Sequence, residues 1–268
     1  PDRDVGFAAR CRAMISVRPL RLAGAVFDSL LPPVCAACGV AVEPGRAPIC
    51  GACEVRLPRI PLPRCPRCGF TRLADLSSPG HCGECEAWPE QIQRAESAFL
   101  HEPPAEALVH GLKYRGWTTL AARMGALMEP AARRLEGGPA VLVPVPLAPA
   151  RLRERGYNQA GLLAVALARE VSWPTRPALC RGGQLRRQVM SGRADRARNV
   201  QGAFRVTRSF LAEVAAAREL AGLPIVLVDD VITTGATAAA CATSFEAMGL
   251  SCVGVVSFAR TPPRLPGV

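Results

Sequence analysis

At 268 residues, 49% of them apolar, the chain is long enough to bury a core of normal size, as one ordinary domain plus a smaller module. Its formal charge of +11 comes from 33 basic side chains, of which only Lys113 is a lysine. An arginine surplus of that kind is compatible with genome composition and is weak evidence for nucleic-acid binding by itself. Uncharged runs such as 231–245 are too short and too rich in Gly and Thr to span a bilayer. Near the N-terminus, Arg10, Arg12, Arg18, Arg21 and Asp28 interrupt any basic-then-apolar secretion signal. The expectation is a cytoplasmic protein with no membrane span.

Residues 1–34 read as an N-terminal extension with a short helix, and 35–90 as a cysteine module. Eight of the twelve cysteines fall in four C-x2-C pairs: Cys35/Cys38, Cys50/Cys53, Cys65/Cys68 and Cys82/Cys85. Each pair can put two thiolates on one metal, and two pairs complete a tetrahedral four-cysteine zinc site. Gly39, Gly51, Gly69 and Gly83 each follow a cysteine, where such a knuckle favours positive φ. The competing explanation is a disulfide framework, disfavoured in a chain without a secretion signal. Sequential pairing predicts one site from Cys35, Cys38, Cys50 and Cys53 and another from Cys65, Cys68, Cys82 and Cys85. An interleaved cross-brace is the alternative; the short gaps between pairs suit the sequential zinc-ribbon form. Residues 35–86 carry six arginines against five acids. Two filled sites would bring the module to roughly −3, because four thiolates outweigh each Zn2+. That charge suits a structural or interdomain role better than a DNA-reading finger.

From about Ala95 the pattern alternates apolar strands with amphipathic helices, so 91–268 reads as an α/β domain. A helix opens at Pro103 or Pro104 and ends near Lys113; others are expected over 119–135 and 157–171. Residues 140–145 (AVLVPV) and 252–258 read as buried strands. Between them, Arg181, Arg186, Arg187, Arg193, Arg196 and Arg198 lie close together with one acid, Asp195, which suits a polyanionic ligand.

The densest chemistry lies in 225–237, IVLVDDVITTGAT. Ile225, Val226, Leu227 and Val228 form a buried parallel strand, and Asp229 and Asp230 are expected just past its end. Thr233, Thr234, Gly235, Ala236 and Thr237 then form a hydroxyl-rich turn leading into an alanine-rich helix that stops at Gly249. Backbone N–H groups at a helix N-terminus favour a phosphate, and the carboxylates just upstream suit sugar hydroxyls. At that position the two carboxylates are expected to be solvent-reachable, ionised and mutually repelling.

This segment resembles the 5-phosphoribosyl-1-pyrophosphate (PRPP) signature of type I phosphoribosyltransferases. The resemblance implies a parallel sheet flanked by helices, with Asp229 and Asp230 on the ribose hydroxyls and Thr233, Thr234, Gly235, Ala236 and Thr237 around the 5′-phosphate. Two further segments, VPVPLAPARLRERGYNQ (143–159) and LCRGGQLRRQVMSGRADRARNVQGAF (179–204), join the string LKYRG (112–116) and the four knuckles. Together they are similar to the ComF family, which joins a double zinc ribbon to a phosphoribosyltransferase-like domain. The family is linked with DNA uptake or the use of DNA as nutrient. The resemblance implies pyrophosphate contacts from Arg151 and Arg155, from Lys113, and from Arg193 and Arg198 on a flexible loop with a catalytic role. It implies two structural Zn2+, Mg2+ bound with PRPP, an unknown nitrogenous acceptor, and single-stranded DNA or the DNA-uptake machinery as partners. A non-catalytic phosphoribosyl- or single-stranded-DNA-binding accessory protein is the alternative. One departure stands out: where the family carries a threonine four residues after the arginine matching Arg181, this chain has Leu185.

Overall fold

The computed structural model describes residues 33–43, 45, 47–71, 82, 85, 88, 90–135, 138–182, 203–217, 220 and 222–262. Four parallel strands form the central sheet: β1 (Ala95–Leu100), β2 (Val141–Pro144), β5 (Ile225–Ile232) and β6 (Cys252–Arg260), in the order β1-β6-β5-β2. A short antiparallel pair, β3 (Leu179–Arg181) with β4 (Phe204–Val206), stands apart from it. Because side chains alternate across a strand, the apolar runs serve two cores. Val141, Val143, Ile225 and Leu227 pack on one face, and Leu142, Val226 and Val228 on the other.

Helices cover both faces. The second core is built by α2 (Ala105–Tyr114), α3 (Leu120–Leu135) and α5 (Gln159–Val171), through Leu108, Leu112, Met124, Met128, Leu163 and Leu167. Close approach of α3 to α5 requires Gly125, since a Cβ there would stand 2.3 Å from the Ala166 Cβ. The first core takes α7 (Ala236–Glu246) and α6 (Arg208–Ala216), through Cys241, Phe245 and Phe210. A seven-residue helix, α4 (Pro149–Arg155), leaves the end of β2 and stops at Gly156, whose φ of 79° is the left-handed cap of that turn. The helices and strands expected from residue 103 onward are present, each within a few residues of its predicted bounds; the short helix expected in the N-terminal extension lies outside the described residues. Among the described residues no helix is long and apolar enough to cross a membrane.

The cysteine module clasps the β1 edge of the sheet. Arg59 bridges Phe99 in antiparallel fashion, and the Leu100 amide donates to the Pro58 carbonyl, which covers an edge that would otherwise be open. Leu57 belongs to the second core, with Ala36 and Ile49 packed against it, whereas Cys65, Cys68 and Cys85 belong to the first. The two ribbons therefore sit on opposite faces. Two hydrogen-bonded knuckles repeat the same geometry. Gly39 N–H donates to Cys35 C=O and Gly69 N–H to Cys65 C=O, both at 2.9 Å, with φ of 75° and 64°. Gly51 departs from expectation: it opens the short helix α1 (Gly51–Val55), where φ is negative and any residue fits. Gly83 lies outside the described residues.

Candidate functional site

The metal centres follow the sequential pairing. The sulfurs of Cys35, Cys38, Cys50 and Cys53 lie within 4.8 Å of one another, as do those of Cys65, Cys68, Cys82 and Cys85. Four sulfurs bound at about 2.3 Å to one zinc stand about 3.8 Å apart. The Cys38–Cys50, Cys65–Cys85 and Cys82–Cys85 sulfur pairs are at 3.7 Å and Cys68–Cys82 at 3.5 Å, so both sets fit zinc without rearrangement. Burial and the neighbouring thiols push Cys53 and Cys68 up, and Cys85 up to about 12. At Cys35 and Cys65 burial acts the same way, but backbone N–H donors outweigh it and lower each thiol to about 6. Four thiolates in either pocket need a cation to share, and the two sites fit two structural zinc ions.

The second site forms at the C-terminal end of the parallel sheet, where α/β folds present their ligands. Here the structure corrects the strand boundary. β5 does not end at Val228; it continues through Asp229 and Asp230 to Ile232. The ladder tolerates the carboxylates because each caps the next amide. Asp229 Oδ1 accepts from the Asp230 N–H at 2.8 Å, and Asp230 Oδ1 from the Val231 N–H at 2.9 Å.

Alternation sends the two carboxylates to opposite faces, and their environments diverge. Asp230 is 4% exposed, so the expectation of a solvent-reachable pair fails for it. Its Oδ2 is 2.8 Å from Lys113 Nζ, a close ion pair although not aligned as a hydrogen bond. Lys113 stands in the last turn of α2, where the dipole also favours a cation. Asp229 is half-buried among the groups of the cavity. Burial, and then the charge of Asp230, hold its carboxyl well above the usual range, so it resists ionisation until a positive or hydrogen-bonding partner arrives.

Beyond β5 the chain turns through Thr233 and Thr234, both exposed, to Gly235, whose φ is 72°. Gly235 is the N-cap of α7, and no side chain caps that terminus. Ala236 and Thr237, expected within the turn, are the first helical residues. The first-turn N–H groups are consequently available to an anion. Facing them across a cavity of about 160 Å³ are Arg151 and Arg155 of α4, with Arg181 of β3. Asp229, Asp230, Thr237, Lys113, Tyr114 and Gln159 supply the other polar side chains of the lining, and the apolar 145–148 completes it. The structure thus brings Asp229, Asp230, Thr237, Arg151, Arg155 and Lys113 into one cavity, with Thr233, Thr234, Gly235 and Ala236 on the adjoining turn. Arg193 and Arg198 lie outside the described residues.

Local contacts hold the arginines in place. Asn158 caps α5 by accepting from the Ala160 N–H and donates to the Val145 carbonyl, tying α5 to the end of β2. Arg155 donates to Gln159 Oε1 at 3.1 Å and stacks its guanidinium 4.8 Å from the centre of the Tyr114 ring. Tyr114 and Arg181 were not among the assigned contacts. Their signals were adjacency to Lys113 and membership of the arginine cluster. A larger recess of about 560 Å³ lies between the first ribbon and α3, but its Glu54 and Arg123 are already paired with each other. The smaller cavity is the one with converging charged groups.

These features define a class: a double zinc ribbon joined to a parallel α/β sheet that presents an acidic pair and an open helix N-terminus to a basic cavity. The profile of the double zinc ribbon domain matches residues 26–86. The chain is 34% identical over 204 residues to the DNA utilization protein YhgH of Salmonella typhimurium, covering 74% of this chain and 84% of that one. It is 29% identical over 180 residues to the competence protein ComFC of Bacillus subtilis, covering 65% and 67%. To the competence protein F of Haemophilus influenzae it is 27% identical over 204 residues, covering 74% and 85%. The chain belongs to the ComF family.

Proposed function

We propose that the cavity binds PRPP and that the protein transfers its phosphoribosyl group to a nitrogenous acceptor in the service of DNA uptake or utilisation. One observation carries the ligand assignment. A carboxylate pair, an uncapped helix N-terminus and three arginines converge on a single cavity. Each element matches one part of the ligand: ribose hydroxyls, 5′-phosphate and pyrophosphate. The names of the relatives support the cellular setting.

In this reading the acceptor nitrogen attacks ribose C1′ as the bond from C1′ to the pyrophosphate oxygen breaks. Pyrophosphate leaves with the electron pair and the nitrogen gives up a proton. The transition state carries oxocarbenium character, as in glycoside cleavage. Asp229 and Asp230 accept from the ribose hydroxyls and hold C1′ in register. Arg151, Arg155 and Arg181 stabilise the charge gathering on the leaving group. Mg2+ would enter with the pyrophosphate and neutralise part of its charge, a role compatible with the half-buried carboxyl of Asp229. The decisive measurement is release of pyrophosphate from PRPP and Mg2+ with a panel of nitrogenous bases. Turnover with one of them is the expected result; binding without turnover would favour the accessory-protein alternative.

That second reading rests on the basic mouth of the cavity and on the arginine-rich 181–198. If single-stranded DNA binds there, affinity should fall steeply with salt. Changing Arg186, Arg187, Arg193 and Arg196 to alanine should flatten the logarithmic salt dependence by about 2–3 units, at roughly 0.7 per lost phosphate contact. Equal binding and an equal slope would remove this segment from the DNA site.

A further inference from the structure

We propose that Trp88 is a positioning residue for the turn at Gly235, and that the metal-loaded second ribbon shapes the ligand cavity from behind. The nature of the ligand rests on the phosphoribosyl reading above; the coupling itself rests on contacts alone.

Gly235 combines a φ of 72° with a crowded flank. A Cβ built there would stand 2.9 Å from Ile92 Cδ1 and 3.3 Å from Trp88 Cδ2 and Cε3. The turn therefore lies directly on the indole. Trp88 is 7% exposed and shares the first core with Cys65, Cys68, Cys85, Ile232, Ala238 and Ala239. Among the described residues no third layer separates the cysteine site from the start of α7.

Two arginines anchor this segment to the metal site, Arg260 through the indole and Arg67 through the backbone. The Trp88 backbone N–H donates to the Cys85 carbonyl at 3.0 Å. Arg67 ties the segment together, donating to the carbonyls of Cys85, Trp88 and Ile92 at 2.9, 3.3 and 3.0 Å. Arg260, the last residue of β6, stacks its guanidinium 4.5 Å from the Trp88 ring centre and donates to the Cys68 carbonyl at 2.7 Å. Arg260 is 2% exposed, and among the described residues no carboxylate pairs with it. A buried cation needs a counter-charge. A zinc with four thiolates carries a formal −2 and supplies it on the Cys68 side. Cys68, Arg260, Trp88 and Gly235 thus form one chain of contacts from the cysteine site to the start of α7. Leu57 and the partly buried Ala36 and Ile49 place the first ribbon against the other face of the sheet, without a link of this kind.

The test uses the full zinc-loaded chain and two variants, Trp88→Ala and Trp88→Phe. Hydrogen exchange across 233–239 reads the turn directly. Calorimetry with ribose 5-phosphate and separately with Mg2+-pyrophosphate reads the cavity. Trp88→Ala is expected to speed exchange over 233–239 by about tenfold or more while β2 stays protected. It should weaken ribose 5-phosphate by about tenfold and leave pyrophosphate, held by the arginines, within about twofold. Phenylalanine should restore most of both. Withdrawing zinc from the wild type should free 233–239 to exchange before β2 does, which keeps the question open to test if the alanine variant fails to fold. Unchanged exchange at 233–239 in Trp88→Ala, or a loss of protection in that variant spread evenly over the sheet, overturns the proposal; so does zinc withdrawal that exposes β2 no later than 233–239. Failure of the wild type to bind ribose 5-phosphate would sink the phosphoribosyl reading, while the exchange measurements would still decide the coupling.

Discussion

Asp229→Asn is expected to raise the melting temperature at pH 7, whereas Asp230→Asn should lower it, and each should weaken PRPP by about tenfold. The opposite stability effects follow from opposite surroundings. Burial and the charge of Asp230 raise the Asp229 carboxyl above its ordinary range, so its native form holds a proton to higher pH than the unfolded chain does. Its contribution to stability is accordingly greatest below the ordinary aspartate pKa of about 4 and is lost as pH rises through the raised native value. The amide removes that loss and flattens the corresponding part of the pH–stability curve. Asp230, by contrast, faces Lys113 at 2.8 Å in a buried setting. Neutralising it leaves the ammonium without its partner, at a cost of about 1–3 kcal/mol. The affinity loss reflects one charge-assisted acceptor per substitution, worth on the order of 1.5–3 kcal/mol. Thermal melts from pH 4 to 8 with calorimetric titration of PRPP and Mg2+ measure both effects. Equal stability shifts in the two variants would contradict the divided environment, and unchanged affinity would make the pair structural.

Zinc should leave the protein in two steps of one ion each, and only the second should bring down the sheet. Cys38 is exposed and Cys50 half-buried in the first site, whereas Cys65 and Cys68 are 1% and Cys85 0% exposed in the second. A chelator therefore reaches the first site sooner. The second site shares a core with Ile232, Ala238 and Phe245, so its loss removes support from the parallel sheet itself. Structural zinc contributes on the order of 10 kcal/mol of apparent free energy, comparable with the whole stability of a domain. Elemental analysis of protein prepared without added metal should find two zinc ions per chain. Chelation followed by circular dichroism should then show a silent first phase and a cooperative second one. A single phase that spares the sheet would mean that the cysteine module folds independently of it.

The metal sites and the strand–turn–helix unit were legible because their chemistry is local. A C-x2-C knuckle brings its two sulfurs together through its own turn, and an apolar run followed by Asp229, Asp230 and a Gly-containing turn specifies its elements within a few residues. Strand β1 was not marked out, since Glu96 and Ser97 interrupt its apolar pattern. Their partners are remote: Arg64 and Arg134 pair with Glu96, and Ser257 with Ser97. β3 and β4 were missed for a related reason, since each is three residues long and depends on the other.

The eight cysteine ligands, the Gly-containing turn that opens α7 and the α/β class are properties the sequence determines by itself, through spacing and periodicity, whereas the sequential pairing of the cysteines is favoured by spacing and seen in the structure. Three matters were left to the tertiary structure. Asp230 is claimed by Lys113 and withdrawn from solvent, the Asp229 carboxyl is pushed above its ordinary range by burial and the charge of Asp230, and the second ribbon rather than the first lies beneath Gly235. Each depends on how far a group is removed from water and on which distant residue meets it there. Desolvation and long-range packing emerge when β5, α2 and the second ribbon converge, and no local pattern of residues encodes them.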